Sequence, residues 1–169
     1  MKFGEYFKGR DYSYVMHLNY GTGTNEDRRK YWHYAKDHQL IGLDRQDVNM
    51  NWNNKTEVEK ETFRSHSPQW YSQFEIFCNE MKRHDFIIAM AGTDSLLGFG
   101  TVSRNEYDYL PRLKDNRTFF DHVRHVDWIR VRDYDKHLKL AKSLKGFDRT
   151  LLKITPDHKF WKILVNIDF

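Results

Sequence analysis

Residues 12–18 (YSYVMHL) alternate weakly between polar and apolar positions, which predicts a strand ended by the turn-rich stretch NYGTGTN. Asn25 then reads as a helix N-cap, with Glu26 and Asp27 in the first turn and the helix running to about Lys36. Residues 39–43 (QLIGL) read as a short buried strand. It leads into a polar stretch, DRQDVNMNWNNKTE, that is too long for a mere connector. Ser67 and Pro68 form a helix start, N-cap then first helical position. Trp70, Phe74, Phe77, Cys78 and Met81 follow at helical spacing as one continuous apolar stripe. Two apolar runs, 85–91 (DFIIAMA) and 96–103 (LLGFGTVS), read as a β-hairpin. Residues 123–131 (VRHVDWIRV) read as another strand with apolar residues at both parities, so both of its faces are expected to be covered. A basic stretch (YDKHLKLAKSLKG) follows, and Thr155-Pro156 opens a final helix carrying Phe160, Trp161 and Leu164.

The order strand, helix, strand, helix, three strands, helix places the chain in the α+β class. The expected architecture is a small curved sheet or open β-barrel flanked by helices. The 169 residues suit one domain, 1–169, with a core that needs no covalent staple. The one cysteine, Cys78, cannot form an internal disulfide, and no apolar run approaches membrane-spanning length. A soluble, reduced, cytoplasmic protein is expected.

Charge alters this picture through its distribution. Lys and Arg number 28 against 24 Asp and Glu. Residues 112–149 hold 11 of those bases and 6 of those acids, while the remainder holds 17 against 18. The positive excess therefore lies in one segment, which fits either a phosphate-binding face or a solvated basic face. Aromatic residues make up 16% of the chain. Most must be core, but Trp52 (NMNWNNK) and Tyr107 and Tyr109 (RNEYDYL) lie in polar surroundings, the setting of surfaces that stack bases.

The sequence offers little that demands catalysis. It lacks a phosphate-binding P-loop, a C-x-x-C pair, an H-E-x-x-H run and a G-x-S-x-G elbow. His122 and His125 have no obvious third metal ligand, and Cys78 sits on the apolar stripe as an inert thiol. Neither a metal nor a cofactor is expected, and the chain reads as a binding module. A nuclease or base-modifying hydrolase acting through Asp44 or His122 is the enzymatic rival.

The run DFIIAMAGTDSLLGFGTVSRNEYDY, followed by RHVDWIRV, resembles the PUA superfamily that includes EVE and YTH domains. The features that carry the resemblance are Ile87–Ala91, the G-x-G-x-V of Gly98–Val102 and the Val126-Asp127-Trp128 triplet. Within that superfamily the chain looks similar to the N-terminal modules of McrB-type modification-dependent restriction proteins. The resemblance implies a DNA-binding reader of a modified base, N6-methyladenine first and 5-methylcytosine second, as the specificity module of an McrB-like system. An attached or associated motor NTPase and nuclease subunit would be its partners. An RNA-binding PUA-like module is the alternative.

It also implies an aromatic pocket for a flipped base. Asn19, just after the first strand, stands where the family's polar contact falls. Asp44 and Arg45 occupy the place where the family often supplies a cage aromatic, with Trp52 the nearest tryptophan. Tyr107 and Tyr109 offer another wall, and Trp32 is a further candidate. Arg45, Arg112, Lys114, Arg117, Arg124 and Arg130 are the expected phosphate contacts. Core packing competes for every aromatic, and Trp70, Trp128 and Trp161 are expected in the core. Flipping a base costs a few kcal/mol, and stacking returns about 1–3 kcal/mol per aromatic wall.

Overall fold

A computed structural model of the chain describes residues 3–18, 24–45, 47–111, 120–140 and 149–169. Its strands are β1 (Ser13–His17), β2 (Leu40–Leu43), β3 (Phe86–Ala91), β4 (Ser95–Val102), β5 (Asp108–Tyr109), β6 (His122–Val131), β7 (Leu138–Lys139) and β8 (Leu151–Ile154). The helices are α1 (Asn25–Asp37), α2 (Glu57–His66), α3 (Pro68–Glu75) and α4 (Lys159–Leu164). Short 3-10 turns lie at Phe3–Phe7, Trp52–Asn54 and Tyr134–Lys136.

The strands form one sheet in the order β2-β6-β4-β3-β1-β8, with β5 paired to β6 and β7 to β4. It curls into a half-barrel, so the expected α+β curved sheet is present. All pairings are antiparallel except β1 with β3. The GFG of β4 reflects this curl. Both β3 and β6 shift register against β4, and a side chain at Gly98 would lie 2.7 Å from the Arg130 carbonyl and 3.1 Å from Trp32.

Strand alternation sorts the core into three clusters. Val15, Phe86, Ile88, Met90 and Phe99 meet the N-terminal turn and α4 through Phe3, Phe7, Phe160 and Trp161. Tyr14, Met16, Ile87 and Val126 meet α3 through Phe74 and Phe77. Leu18, Ala89, Leu97 and Val123 meet α1 through Tyr31, Trp32 and Ala35. Val123 and Val126 thus join different clusters, so the first half of β6 is covered on both faces; in the second half Ile129 and Val131 are 44% and 41% exposed, so the cover expected there is absent.

The structure departs from the sequence pattern at several points. The N-cap of α1 is Thr24 and not Asn25, since the Thr24 hydroxyl accepts from the Asp27 amide, and the short strands β5, β7 and β8 were not expected. The polar stretch after β2 leads into a helix the pattern did not announce, α2, opened by a capping box in which Thr56 and Glu59 bond reciprocally. None of the described residues of α2 is buried, and Val58 is 77% exposed, so no apolar stripe announced it. The α3 stripe continues through a π turn at Ile76–Glu80, which keeps Phe77 and Cys78 buried. Thr155-Pro156 forms a turn, and α4 starts three residues later on the N-cap His158, whose ring accepts from the Phe160 amide. No helix among the described residues is long and apolar enough to cross a membrane.

Candidate nucleic-acid interface

The stretch that joins β2 to α2 folds back over the start of β6, and β5 lies against the same place. Tyr107, just before β5, donates its hydroxyl to the Asn51 side chain. Tyr109, on β5, donates to the Asn49 carbonyl at 2.5 Å. Both rings are half-buried and flank His122, with centroids 5.9 Å away and near-parallel for Tyr107 and 5.1 Å away and tilted for Tyr109. Phe74 closes the remaining side edge-on at 5.0 Å. His122 is fully buried, and its Nε2 lies 3.2 Å from the Val48 carbonyl.

Two tyrosines and a histidine are therefore held by three backbone or side-chain anchors from one short stretch, Val48, Asn49 and Asn51. Burial disfavours the charged forms: it holds the imidazole below the usual histidine range and raises both tyrosine hydroxyls. The nearby carboxylates of Asp121 and Asp44 add to the rise at Tyr109. Asn49, Asn51 and His122 were not among the sequence-derived pocket residues. The asparagine-rich NMNWNN run was the available signal, and pairing across β6 was needed to use it.

The other candidates are distributed differently. Trp52 is fully buried, stacked on Phe74 at 4.9 Å, with Nε1 donating to Glu75 at 2.7 Å. Its ring is core and presents no wall to a ligand. Trp32, on the buried face of α1, is likewise fully buried, edge-on to Trp128 at 5.3 Å, and donates to the Arg132 carbonyl. Asp44 is half-buried just after β2. Arg45 is occupied: Nε bonds Asp47 at 2.6 Å, Nη2 bonds Ser67 at 2.9 Å, and its guanidinium lies 5.2 Å from Phe63 and 5.3 Å from Trp70. It packs the loop onto α2 and α3 rather than facing a phosphate.

Arg124 is the larger correction. It is fully buried and donates to the carbonyls of Phe77, Cys78 and Asn105, so it clamps the π turn to the segment before β5. Arg130 is exposed, but it lies eight residues from His122 along β6, about 26 Å at 3.3 Å per residue. Asn19, Arg112, Lys114 and Arg117 lie outside the described residues. His125 is three residues from His122 and faces the other side of the strand, where Nε2 meets Asp108 at 2.9 Å. Among the described residues no group of three or more His, Cys, Asp or Glu is placed to hold a metal. Cys78 is buried, and its thiol is pushed up by burial, as for an inert thiol.

The fold and this cluster define an α+β half-barrel protein with two half-exposed tyrosines over a buried histidine at one end of its longest strand. The chain belongs to the family described as Domain of unknown function (DUF8426), which it matches over residues 16–155. No curated protein matches it. Among solved structures, it is similar to a structure of the Mmi1 YTH domain at 10% identity and TM-score 0.45, covering 93% of this chain and 76% of that one. A crystal structure of the same domain aligns at 10% identity and TM-score 0.36, covering 72% and 67%. A complex of Mmi1 with RNA aligns at 11% identity and TM-score 0.35, covering 72% of this chain and 57% of that one. Likeness at this level speaks to neither ligand nor mechanism.

Proposed function

We propose that the chain binds nucleic acid and holds one unstacked base against the Tyr107–Tyr109–His122 cluster. The observation that carries this reading is the pair of half-exposed tyrosine rings, anchored by their hydroxyls to Asn51 and Asn49 over a buried histidine. Rings fixed in this way stack a base with little further loss of side-chain freedom, and stacking contributes about 1–3 kcal/mol per base. That roughly balances the few kcal/mol needed to flip a base out of a duplex, so phosphate contacts must supply the net affinity. The basic excess of residues 112–149 is consistent with that requirement.

In the finer form of the reading, the target is DNA with a modified base, N6-methyladenine before 5-methylcytosine. The chain then serves as the specificity module of an McrB-like restriction system, with the motor NTPase and nuclease supplied elsewhere. This form is supported by the resemblance carried by Gly98–Val102 and Val126-Asp127-Trp128. The module binds and does not turn over its ligand.

The test is binding to one fluorescent oligonucleotide, as DNA duplex and as RNA, unmodified and with each methylated base, at two salt concentrations. A preference of at least tenfold for one modified DNA, about 1.4 kcal/mol, is expected. Tyr109→Ala is expected to remove that preference and leave weak, salt-sensitive binding. Unchanged preference in Tyr109→Ala refutes the site, and no binding at low salt refutes the function. Tighter binding to RNA than to any DNA replaces the DNA form with the RNA-binding alternative.

A further inference from the structure

The two ring nitrogens of His122 stand in different chemical states. Nε2 faces the Val48 carbonyl at 3.2 Å, and because a carbonyl only accepts, Nε2 carries the proton. Burial favours the neutral ring, so Nδ1 is left as a bare lone pair. Nδ1 is buried and has no hydrogen-bond donor among the described residues. Buried acceptors in folded proteins are nearly always satisfied, so an exception calls for an explanation; Nδ1 shares its state with atoms of Ser13, Tyr14, Arg28 and Arg132, and what sets it apart is its surroundings.

The surroundings of His122 are those of a site and not of an ordinary core. Tyr107 and Tyr109 are half-exposed, and Tyr109 belongs to a strand of only two residues whose register is Asp108 with Val123 and Tyr109 with His122. The hydroxyl of Tyr109 is held by a single backbone carbonyl, that of Asn49. Among the described residues, only that one surface hydrogen bond limits how far the Tyr109 ring can adjust beside His122, while Tyr107 stays tied to the Asn51 side chain.

We propose that His122 Nδ1 accepts a hydrogen bond from the exocyclic N–H of the bound base, so that the preferred ligands are amino-bearing bases retaining at least one such hydrogen. This rests on the base-binding reading above and assigns His122 the selection of the base edge. Uracil and thymine offer no exocyclic amine to this acceptor, whereas adenine and N6-methyladenine do. A second methyl on N6 removes the last hydrogen. Once the neutral ring is satisfied at both nitrogens, it sits between a protein carbonyl and the ligand as a fixed donor–acceptor pair.

The experiment compares single-stranded oligonucleotides carrying adenine, N6-methyladenine or N6,N6-dimethyladenine at one position. They are measured by fluorescence anisotropy against the wild-type chain, His122→Gln and Tyr109→Ala. The glutamine amide reaches the Nε2 position and still donates to Val48, but it places no acceptor at Nδ1. Wild type is expected to bind N6-methyladenine at least tenfold tighter than the dimethylated base. His122→Gln is expected to keep its melting temperature while that ratio falls to near one, which separates lost recognition from lost folding.

Equal binding of the mono- and dimethylated bases by wild type overturns the proposal without any variant. So does an unchanged ratio in folded His122→Gln. In both cases, Tyr109→Ala losing base preference leaves the base-binding site standing and removes only the role of His122. Tyr109→Ala matching wild type in every respect removes both. As an independent readout, the nitrogen-15 resonance of the bare His122 Nδ1 is expected to move on addition of the N6-methyladenine oligonucleotide and to stay in place with the dimethylated one.

Discussion

Arg124 separates a structural role from a ligand-binding one. Its guanidinium is fully buried and donates to Phe77 O at 2.7 Å, to Cys78 O at 2.9 Å and to Asn105 O. Arg124→Met keeps much of the side-chain volume and removes all three donors. Each orphaned buried acceptor costs about 1–3 kcal/mol, and relief from burying a charge offsets part of the total. A net loss of about 2–4 kcal/mol follows, which at about 2–4 °C per kcal/mol lowers the melting temperature by roughly 5–15 °C. Thermal and urea unfolding measure the loss, and oligonucleotide binding well below the melting temperature supplies the second readout. If Arg124 is structural, the slope of log affinity against log salt is unchanged in Arg124→Met. A wild-type melting temperature together with a slope reduced by about one phosphate contact would refute this account and restore Arg124 to the ligand surface.

Three further outcomes follow from the geometry. Burial, with the nearby Arg28 charge, pushes His17 down to about 3, so the unfolded chain binds the proton more tightly than the folded one. Stability is then complete above about pH 6.5 and falls as pH drops toward 3, by about 5 kcal/mol at 1.36 kcal/mol per pH unit; a urea midpoint that is flat from pH 7 to 4, or a His17→Gln variant with the same slope, contradicts this. Gly42→Ala drives a Cβ into the Phe120 ring and is expected to cost about 1–3 kcal/mol in unfolding free energy, with wild-type stability as the contrary result. Trp52→Phe loses the Glu75 hydrogen bond, so a loss of about 1–2 kcal/mol with unchanged base preference is expected; loss of preference at wild-type stability would return Trp52 to the pocket.

Legibility in the sequence followed periodicity. The stripe from Trp70 to Met81 was readable because it buries one helical face, and the paired runs around Thr93 because they are continuous apolar runs buried on both faces. α2 was not, since it is held at its start by Thr56 and Glu59 and sends only Phe63 toward the core, which makes no apolar stripe. β8 was hidden because four residues that pair only with β1 carry too little alternation to stand out. Of the pocket, Tyr107 and Tyr109 were legible from their polar neighbours. Trp52 misled for the same reason: NMNWNNK is polar on both sides, yet a 3-10 turn at Trp52–Asn54 drops that one ring between α2 and α3. Burial of a single residue in an irregular loop depends on contacts with Phe63, Phe74 and Glu75 on later helices, and local pattern carries no trace of them.

The same strand that bears the site also bears much of the fold. His122, Arg124 and Val126 are alternate residues of β6, and each ties that face to something different: His122 to the Val48 carbonyl, Arg124 to Phe77, Cys78 and Asn105, and Val126 to the apolar cluster under α3. Asn105 is only two residues before Tyr107, so the Arg124 bond to its carbonyl helps to fix where β5 begins and hence where both tyrosine rings rest. Substitutions at Arg124 should therefore change stability and base preference together, whereas His122→Gln, which keeps the bond to Val48, should change preference at little cost in stability. Substitutions at Tyr109, tethered at the surface through one hydroxyl, should change preference alone. A variant series from Arg124 through His122 to Tyr109 would then show the stability cost falling along the series while the effect on base preference persists. If the two effects instead fell together along the series, the tyrosines would be packing residues and the cluster would not be a site.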